Sequence, residues 1–281
     1  MTEARFPTSY RTASGTAYDL GGGHGLLLNP VGGPSWEFEA SGAGFIRKAR
    51  DISAELTAIG TDAMAECDRM LEGCAADLEA GTPGTLTVGE WSLACYLRRG
   101  KSKGLTSGWQ GWDVDLYAPD PVWTREHTTS FLPQSGAASS TGGHDLPLDY
   151  PYDYGNSARA SRLAVDALTP CDVRISFYGR ALSPSVYIGG NRYGVDGVTV
   201  PDGGMLVIDP TRRDLMDGTA VCLYDRYGTA TDVFAKRVRG TKGSGSYIFE
   251  RVEPGEHVVT WPQTYGVDVT TIERRGHLPW T

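Results

Sequence analysis

Cysteine is scarce in this chain, and the few present are not placed to pair. Five cysteines, at 67, 74, 95, 171 and 222, are spread over 281 residues. The number is odd and no Cys-x-x-Cys pair exists, so neither a disulfide framework nor a thiolate metal site is indicated. Cys67 and Cys74 lie one heptad apart, roughly 10 Å along a helix axis, which is too far for a disulfide. All five read as reduced, buried, small apolar residues. Long apolar runs are missing as well. No segment approaches the roughly 20 apolar residues of a membrane span, and the opening Met1-Thr-Glu-Ala-Arg-Phe-Pro7 has no apolar signal core. A soluble chain made in the cytoplasm, without membrane insertion, is expected. Positive charge is in deficit, with 26 Lys+Arg against 34 Asp+Glu and a net charge of −8. Binding to nucleic acid needs a basic face that neutralises phosphates, and this balance argues against it.

Catalytic and metal-binding signatures are also lacking. Gly100-Lys-Ser102-Lys-Gly104 fits a Gly-x-Ser-x-Gly string, but a nucleophile elbow needs a helix behind it and none is readable there. Asp113 and Asp115 are an Asp-x-Asp pair with no third ligand cluster, so they read as the wet face of a strand. Gly21-Gly-Gly-His24-Gly25 runs into an apolar segment without the helix N-terminus an anion loop uses, and reads as a flexible loop. The histidines at 24, 127, 144, 257 and 277 never stand at metal-ligand spacing. No catalytic residue, cofactor-binding residue or metal ligand is assigned.

Turn formers and alternating patterns dominate what is present. The 37 glycines and 16 prolines follow no fixed period, and hydrophobic content is 40% with 10% aromatics, ample for packed cores. Ile52, Ala54, Leu56 and Ala58 alternate, and Gly60 ends that strand. Thr61 or Asp62 then caps a helix whose apolar stripe is Met64, Cys67, Leu71, Cys74 and Leu78, stopped by Gly81, Pro83 and Gly84. Trp91, Leu93, Cys95 and Leu97 form one arm of a hairpin. Arg98–Gly104 is expected as its basic connection, and Trp109–Trp123 as its return arm. In that arm Trp112, Val114, Leu116 and Ala118 share one face, Asp113, Asp115 and Tyr117 the other, and Pro119-Asp120-Pro121 is a hard stop with Asp120 capping its own turn.

Phe131 to Asp145 is small, polar and glycine-rich, and reads as a linker. It divides the chain into expected domains 1–138 and 139–281. Beyond it, short strands are expected at Val173–Phe177, Val186–Ile188, Met205–Ile208, Val221–Leu223, Val233 and Val238, Tyr247–Val252 and Glu256–Trp261, with no helix. That spacing suits an antiparallel sandwich. The aromatics Tyr178, Tyr187, Tyr193, Trp261, Tyr265 and Trp280 are candidates for stacking on sugars, with core packing as the competing explanation.

Several of these segments carry a resemblance. Val114-Asp-Leu-Tyr-Ala118-Pro-Asp120-Pro-Val-Trp123 and, after the linker, Leu148-Asp-Tyr-Pro-Tyr-Asp-Tyr-Gly155 resemble the end of the first domain and the start of the second in distal tail proteins of long-tailed phages. Gly179–Ile188, Gly203–Arg213 and Phe249–Val258 resemble later strands and turns of that family. Glu256-His257 replaces a frequent Asn, and Asp209-Pro210 interrupts the usual Asp-Thr. The resemblance covers about residues 50–281, and residues 1–48 match poorly.

The resemblance implies a mainly β fold with one helix: an N-terminal barrel- or sandwich-like ring domain and a C-terminal galectin-like antiparallel sandwich. It implies a virion structural protein of the tail tip or baseplate hub and no enzyme. The first domain would assemble into a homo-oligomeric ring, usually hexameric, linking the tail-tube protein to tail-tip, tail-associated and receptor-binding proteins. DNA would pass without specific binding, a task that an acidic surface suits. The alternatives are a carbohydrate-binding sandwich protein or a different minor tail protein.

Overall fold

A computed structural model describes residues 7–30, 37–42, 44–133, 161–213 and 219–278. The chain divides into two compact units, 1–125 with 274–281, and 126–273. The expected boundary at 138/139 and the Leu148–Gly155 motif lie outside the described residues.

The first unit contains β1 (Thr8–Arg11), β2 (Ala17–Asp19), β3 (Leu26–Pro30), β4 (Phe38–Ser41), β5 (Gly44–Arg47) and β6 (Arg50–Ile59). Helix α1 (Thr61–Ala80) follows, then β7 (Gly84–Val88), β8 (Trp91–Thr106), β9 (Trp109–Ala118) and the start of β10 (Trp123–Phe131). All ladders are antiparallel. β8 changes partner part-way: Trp91–Cys95 pairs with β7, and Tyr96–Thr106 pairs with β9. The order β2-β1-β7-β8-β9-β6-β3 is carried back toward β2 by a bridge between Gly21 and Leu27 and by the Leu28 N–H donating to Leu20 O. The strands thus wrap round toward a barrel with α1 packed against β3, β6, β8 and β9. β4 and β5 form a separate two-stranded hairpin.

One core joins helix and strands: Tyr10, Leu26, Leu56, Met70, Leu93 and Leu116 are all at most 2% exposed. Burial of each leucine contributes roughly 2 kcal/mol. The helix presents Ala63, Cys67, Met70, Cys74 and Asp77 to this core. The expected stripe is therefore rotated: Cys67 and Cys74 are on it, Leu71 is at its border, and Leu78 is exposed. Asp77 can occupy a buried position because both its carboxylate oxygens accept the Ala13 N–H, at 3.0 and 3.1 Å. Gly60, and neither Thr61 nor Asp62, occupies the N-cap, with φ 95° and no side-chain cap bond. Gly81 ends the helix in the left-handed region at φ 65°, its N–H turned back to Asp77 O and Leu78 O.

The second unit holds the rest of β10, then β11 (Ser161–Val165), β12 (Asp172–Tyr178), β13 (Ala181–Leu182), β14 (Ser185–Ile188), β15 (Asn191–Gly194) and β16 (Thr199–Val200). β17 (Met205–Ile208), β18 (Val221–Tyr224), β19 (Ala230–Asp232), β20 (Gly255–Thr260) and β21 (Gly266–Arg275) follow, with 3-10 turns at Pro210–Arg212 and Phe234–Lys236. One sheet runs β19-β18-β17-β12-β21, and the other runs β11-β20-β14-β15. Ile175, Phe177, Leu206 and Val267 from the first meet Leu163, Val186, Ile188 and Val259 from the second in one core. This is the layered arrangement of a β-sandwich.

Several sequence expectations for this unit need correction. Val233 and Val238 are not in strands but flank the turn Phe234–Lys236, and Tyr247–Val252 is a looped segment held by a bridge between Cys171 and Val252. β21, the ten-residue strand beside β12, was not expected.

Both long strands cross the division between units: the chain enters the second unit within β10 and returns to the first within β21. At the return, Arg274 pairs with Asp120 at 3.2 Å and Arg275 lies over the Trp91 ring at 4.8 Å. Leu278 then packs on the first unit's core. Asp120 thus spends its carboxylate on Arg274 in place of the expected Asx bond. Trp280, expected to anchor the end, lies outside the described residues.

Candidate assembly site

The outer face of the sheet β3-β6-β9-β8 is where the sequence's charged strand residues meet. Alternation on β9 places Val114, Leu116 and Ala118 in the core and turns Asp113, Asp115 and Tyr117 outward, as expected. β6 runs beside it in unbroken register from Arg50↔Ala118 to Ile59↔Trp109, setting Asp51, Ser53 and Glu55 opposite Tyr117, Asp115 and Asp113. Four carboxylates, those of Asp51, Glu55, Asp113 and Asp115, would then crowd one face, and like charges directly opposite, as at Glu55 and Asp113, destabilise a sheet.

The basic residues of β8 answer that crowding. Arg98–Gly104 is not the hairpin turn expected from its glycines and charges. It is paired strand, and the connection is Ser107-Gly108. The register shifts between Leu97 and Arg99 and between Ser102 and Gly104 mark bulges, which re-aim side chains along a strand. Arg98 reaches Asp51 at 2.7 Å and lies 5.1 Å over the Tyr117 ring. Arg99 stands 3.6 Å from Asp115, whose other oxygen accepts from Ser53 Oγ at 2.8 Å. Lys103 bridges Glu55 at 2.9 Å and Asp113 at 3.5 Å, and the Glu55 hydrogen bond pushes its pKa up. Exposed pairs of this kind add little stability. What they change is the field: acids and bases on this face neutralise one another within one copy.

The Gly-x-Ser-x-Gly string therefore lies inside a paired strand, with no strand-to-helix elbow. Asp113 and Asp115 are partners of cations. Among the described residues no cluster of three or more metal-ligating side chains occurs. The Gly21–Gly25 segment is a loop, with Gly22 and Gly25 at positive φ.

Beyond Cys95, β8 has β9 on one side and no strand on the other among the described residues. That leaves a sheet edge along Tyr96–Thr106, guarded by Arg98, Lys101 and Lys103. Such an edge is a template for pairing with another chain, and charges are how proteins keep it from pairing indiscriminately. Apolar side chains are exposed nearby on the same strands, Ile59 at 60% and Leu105 at 66%, and on the separate hairpin β4–β5, Phe45 at 77%. Sequence reasoning missed all three, because the alternation of isolated apolar residues does not say which face is covered.

The sugar-stacking candidates fare differently. Tyr193 and Tyr265 are buried, with Tyr193 OH donating to Glu250 O and Tyr265 OH to Ser185 O. Trp261 donates Nε1–H to Tyr265 O and packs on Phe131 with ring centroids 5.5 Å apart. Tyr178 is half-buried with its ring against Gly266, and Tyr187 is exposed.

No model of a known protein family matches the chain, and no curated protein does. Solved structures do. The chain is similar to a chain of the phage P2 baseplate in its activated conformation with Ca, at 14% identity and a TM-score of 0.55, over 96% of this chain and 99% of that one. The strontium form of the same baseplate gives the same figures. The SPP1 Dit protein, described as a paradigm of the hub adsorption apparatus in phages infecting Gram-positive bacteria, is similar at 12% identity and a TM-score of 0.49, over 95% and 99%. The fold is thus a mainly β fold with one helix, shared along nearly its whole length with a phage baseplate chain.

Proposed function

We propose that the chain is a structural component of a phage tail tip, a hub that links the tail tube to the tip and receptor-binding proteins. Copies of the first unit assemble head-to-tail into a closed ring, a hexamer, and DNA passes through its lumen. The second unit, a galectin-like sandwich, carries outward-facing parts. The protein resides in the virion tail and turns nothing over. The division into an expected ring-forming part (1–138) and outer part (139–281) belongs to this reading.

The observation that carries it is the fold shared with the P2 baseplate chain across 96% of this chain. Two features fit. A ring built from heterologous contacts needs two different surfaces on each copy, and the first unit offers an edge on β8 that no strand covers among the described residues and the apolar hairpin β4–β5. A lumen for DNA must not hold phosphates, and Arg98, Arg99 and Lys103 are already committed to carboxylates of their own sheet.

Light scattering on the purified chain across concentrations tests the reading. A closed oligomer of defined mass, alone or with tail partners, is expected. A strict monomer at high concentration that is also absent as a ring from assembled particles overturns it. The rival carbohydrate-binding reading is weakened by Trp261 and Tyr265, which serve the core.

A further inference from the structure

The chain is acidic overall, yet Phe234–Arg251 carries Lys236, Arg237, Arg239, Lys242 and Arg251 against a single acid, Glu250. Arg251 is engaged by Asp172 at 2.9 Å, and Glu250 accepts the Gly243 N–H. Among the described residues Lys236, Arg239 and Lys242 form no ion pair. Arg239, and Arg237 likewise without an ion pair among the described residues, line a hollow of about 390 Å3 together with Phe234, Gly240, Tyr247 and Phe249. That volume is in the range of small-molecule sites.

The walls are built in advance. Arg237 lies 3.9 Å over the Phe234 ring and donates to Phe234 O, which holds its guanidinium against that ring. Phe234 in turn stacks on Phe249, and Tyr247 meets Phe249 edge-on. Asn191 grips the Tyr247 backbone from both sides, its Nδ2–H donating to Tyr247 O at 2.9 Å and its Oδ1 accepting the Tyr247 N–H at 3.2 Å. The neighbouring loop is tightly folded, with Ser246 Oγ–H donating to Arg239 O and Ser244 Oγ 3.3 Å from Ser246 Oγ.

We propose that this hollow binds a phosphate ester carried on a sugar or polyol. Guanidinium forks match tetrahedral oxyanions and grip them with paired hydrogen bonds. Two guanidiniums without an ion pair, those of Arg237 and Arg239, suit a phosphate, with its charge of about −1.5 to −2, better than a single carboxylate. Tyr247 supplies an aromatic wall for the hydroxyl-bearing part. The site lies wholly in the second unit and does not depend on ring assembly, so it stands or falls separately from the hub reading.

Calorimetry on the full chain at low salt tests it, with glycerol 3-phosphate and glucose 6-phosphate as probes. Glycerol, glucose, inorganic phosphate and an acidic tyrosine-containing peptide are the comparisons. The phosphate esters are expected to bind, more weakly as salt rises. Arg239→Ala, at an exposed position that leaves the fold intact, is expected to weaken binding roughly tenfold or more, with Arg239→Lys in between. An unchanged melting temperature shows that the fold is kept. A glycerol phosphate oligomer that binds more tightly than its number of units accounts for identifies a polymeric source, and equal affinity per unit identifies a free small molecule. Inorganic phosphate binding as well as the esters, the peptide binding better, or affinity indifferent to Arg239 would overturn the proposal.

Discussion

Burial has made the thiols of the first unit inert. Desolvation pushes Cys67 up to about 11 and Cys74 and Cys95 up to about 12, from an ordinary 9.0. The folded chain therefore holds these protons more tightly than the unfolded chain. Their stabilising contribution is complete below about pH 9 and is lost as pH rises from there toward 12. Urea unfolding at pH 8 and pH 10.5 is expected to show a lower midpoint at the higher pH, and an unchanged midpoint would contradict these environments. A polar thiol reagent at pH 8 is expected to leave all five cysteines unmodified until the chain is unfolded, because all five are buried. Fully buried Leu116 reports on packing in the same unit: Leu116→Ala should cost about 3 kcal/mol in denaturant unfolding.

Elements differ in how far their residues announce them. β6 and β9 were legible because one face of each is buried and the other wet, so apolar and polar residues alternate without interruption. Helix α1 was legible in extent, but its face was misread. Leu71 and Leu78 look like core residues, yet the core took the smaller Ala63 and, through the Ala13 N–H, the carboxylate of Asp77. The second half of β8 was hidden by its glycines and basic residues, which locally favour a turn. What makes it a strand lies outside the segment, in its backbone ladder with β9 from Tyr96↔Tyr117 to Thr106↔Trp109, while its ion pairs with Asp51, Glu55, Asp113 and Asp115 stay at the surface. Because those pairs are exposed, Lys103→Ala should leave the thermal midpoint unchanged while making this face more acidic. A clear loss of stability would show that the pairs hold the hairpin. Gly84, at the start of β7, faces the Tyr10 ring so closely that a Cβ has no space. Gly84→Ala should destabilise by roughly 1–3 kcal/mol, whereas the same change at Gly108, where nothing lies within 4 Å, should cost much less.

For the molecule as a whole, the sequence reading sets a boundary at 138/139, which lies outside the described residues. A glycine- and serine-rich stretch draws the eye to residues 131–145, while the compact units part within β10 and rejoin within β21. The return was hidden because Val267-Asp-Val-Thr-Thr-Ile272 is short on turn signals and mixes β-branched polar residues into a buried strand. The charged face of β6, β8 and β9 was legible only as a list of charges, since pairing across three strands is a property of the sheet. The hub reading rests on this whole-molecule likeness, and its central claim is a closed ring around a channel. Electron images of the assembled particle or purified oligomer test that claim most directly. They are expected to show rotational symmetry, sixfold in this reading, with the first units enclosing a central hole wide enough for duplex DNA. A compact assembly without a hole, or an open filament, would contradict it.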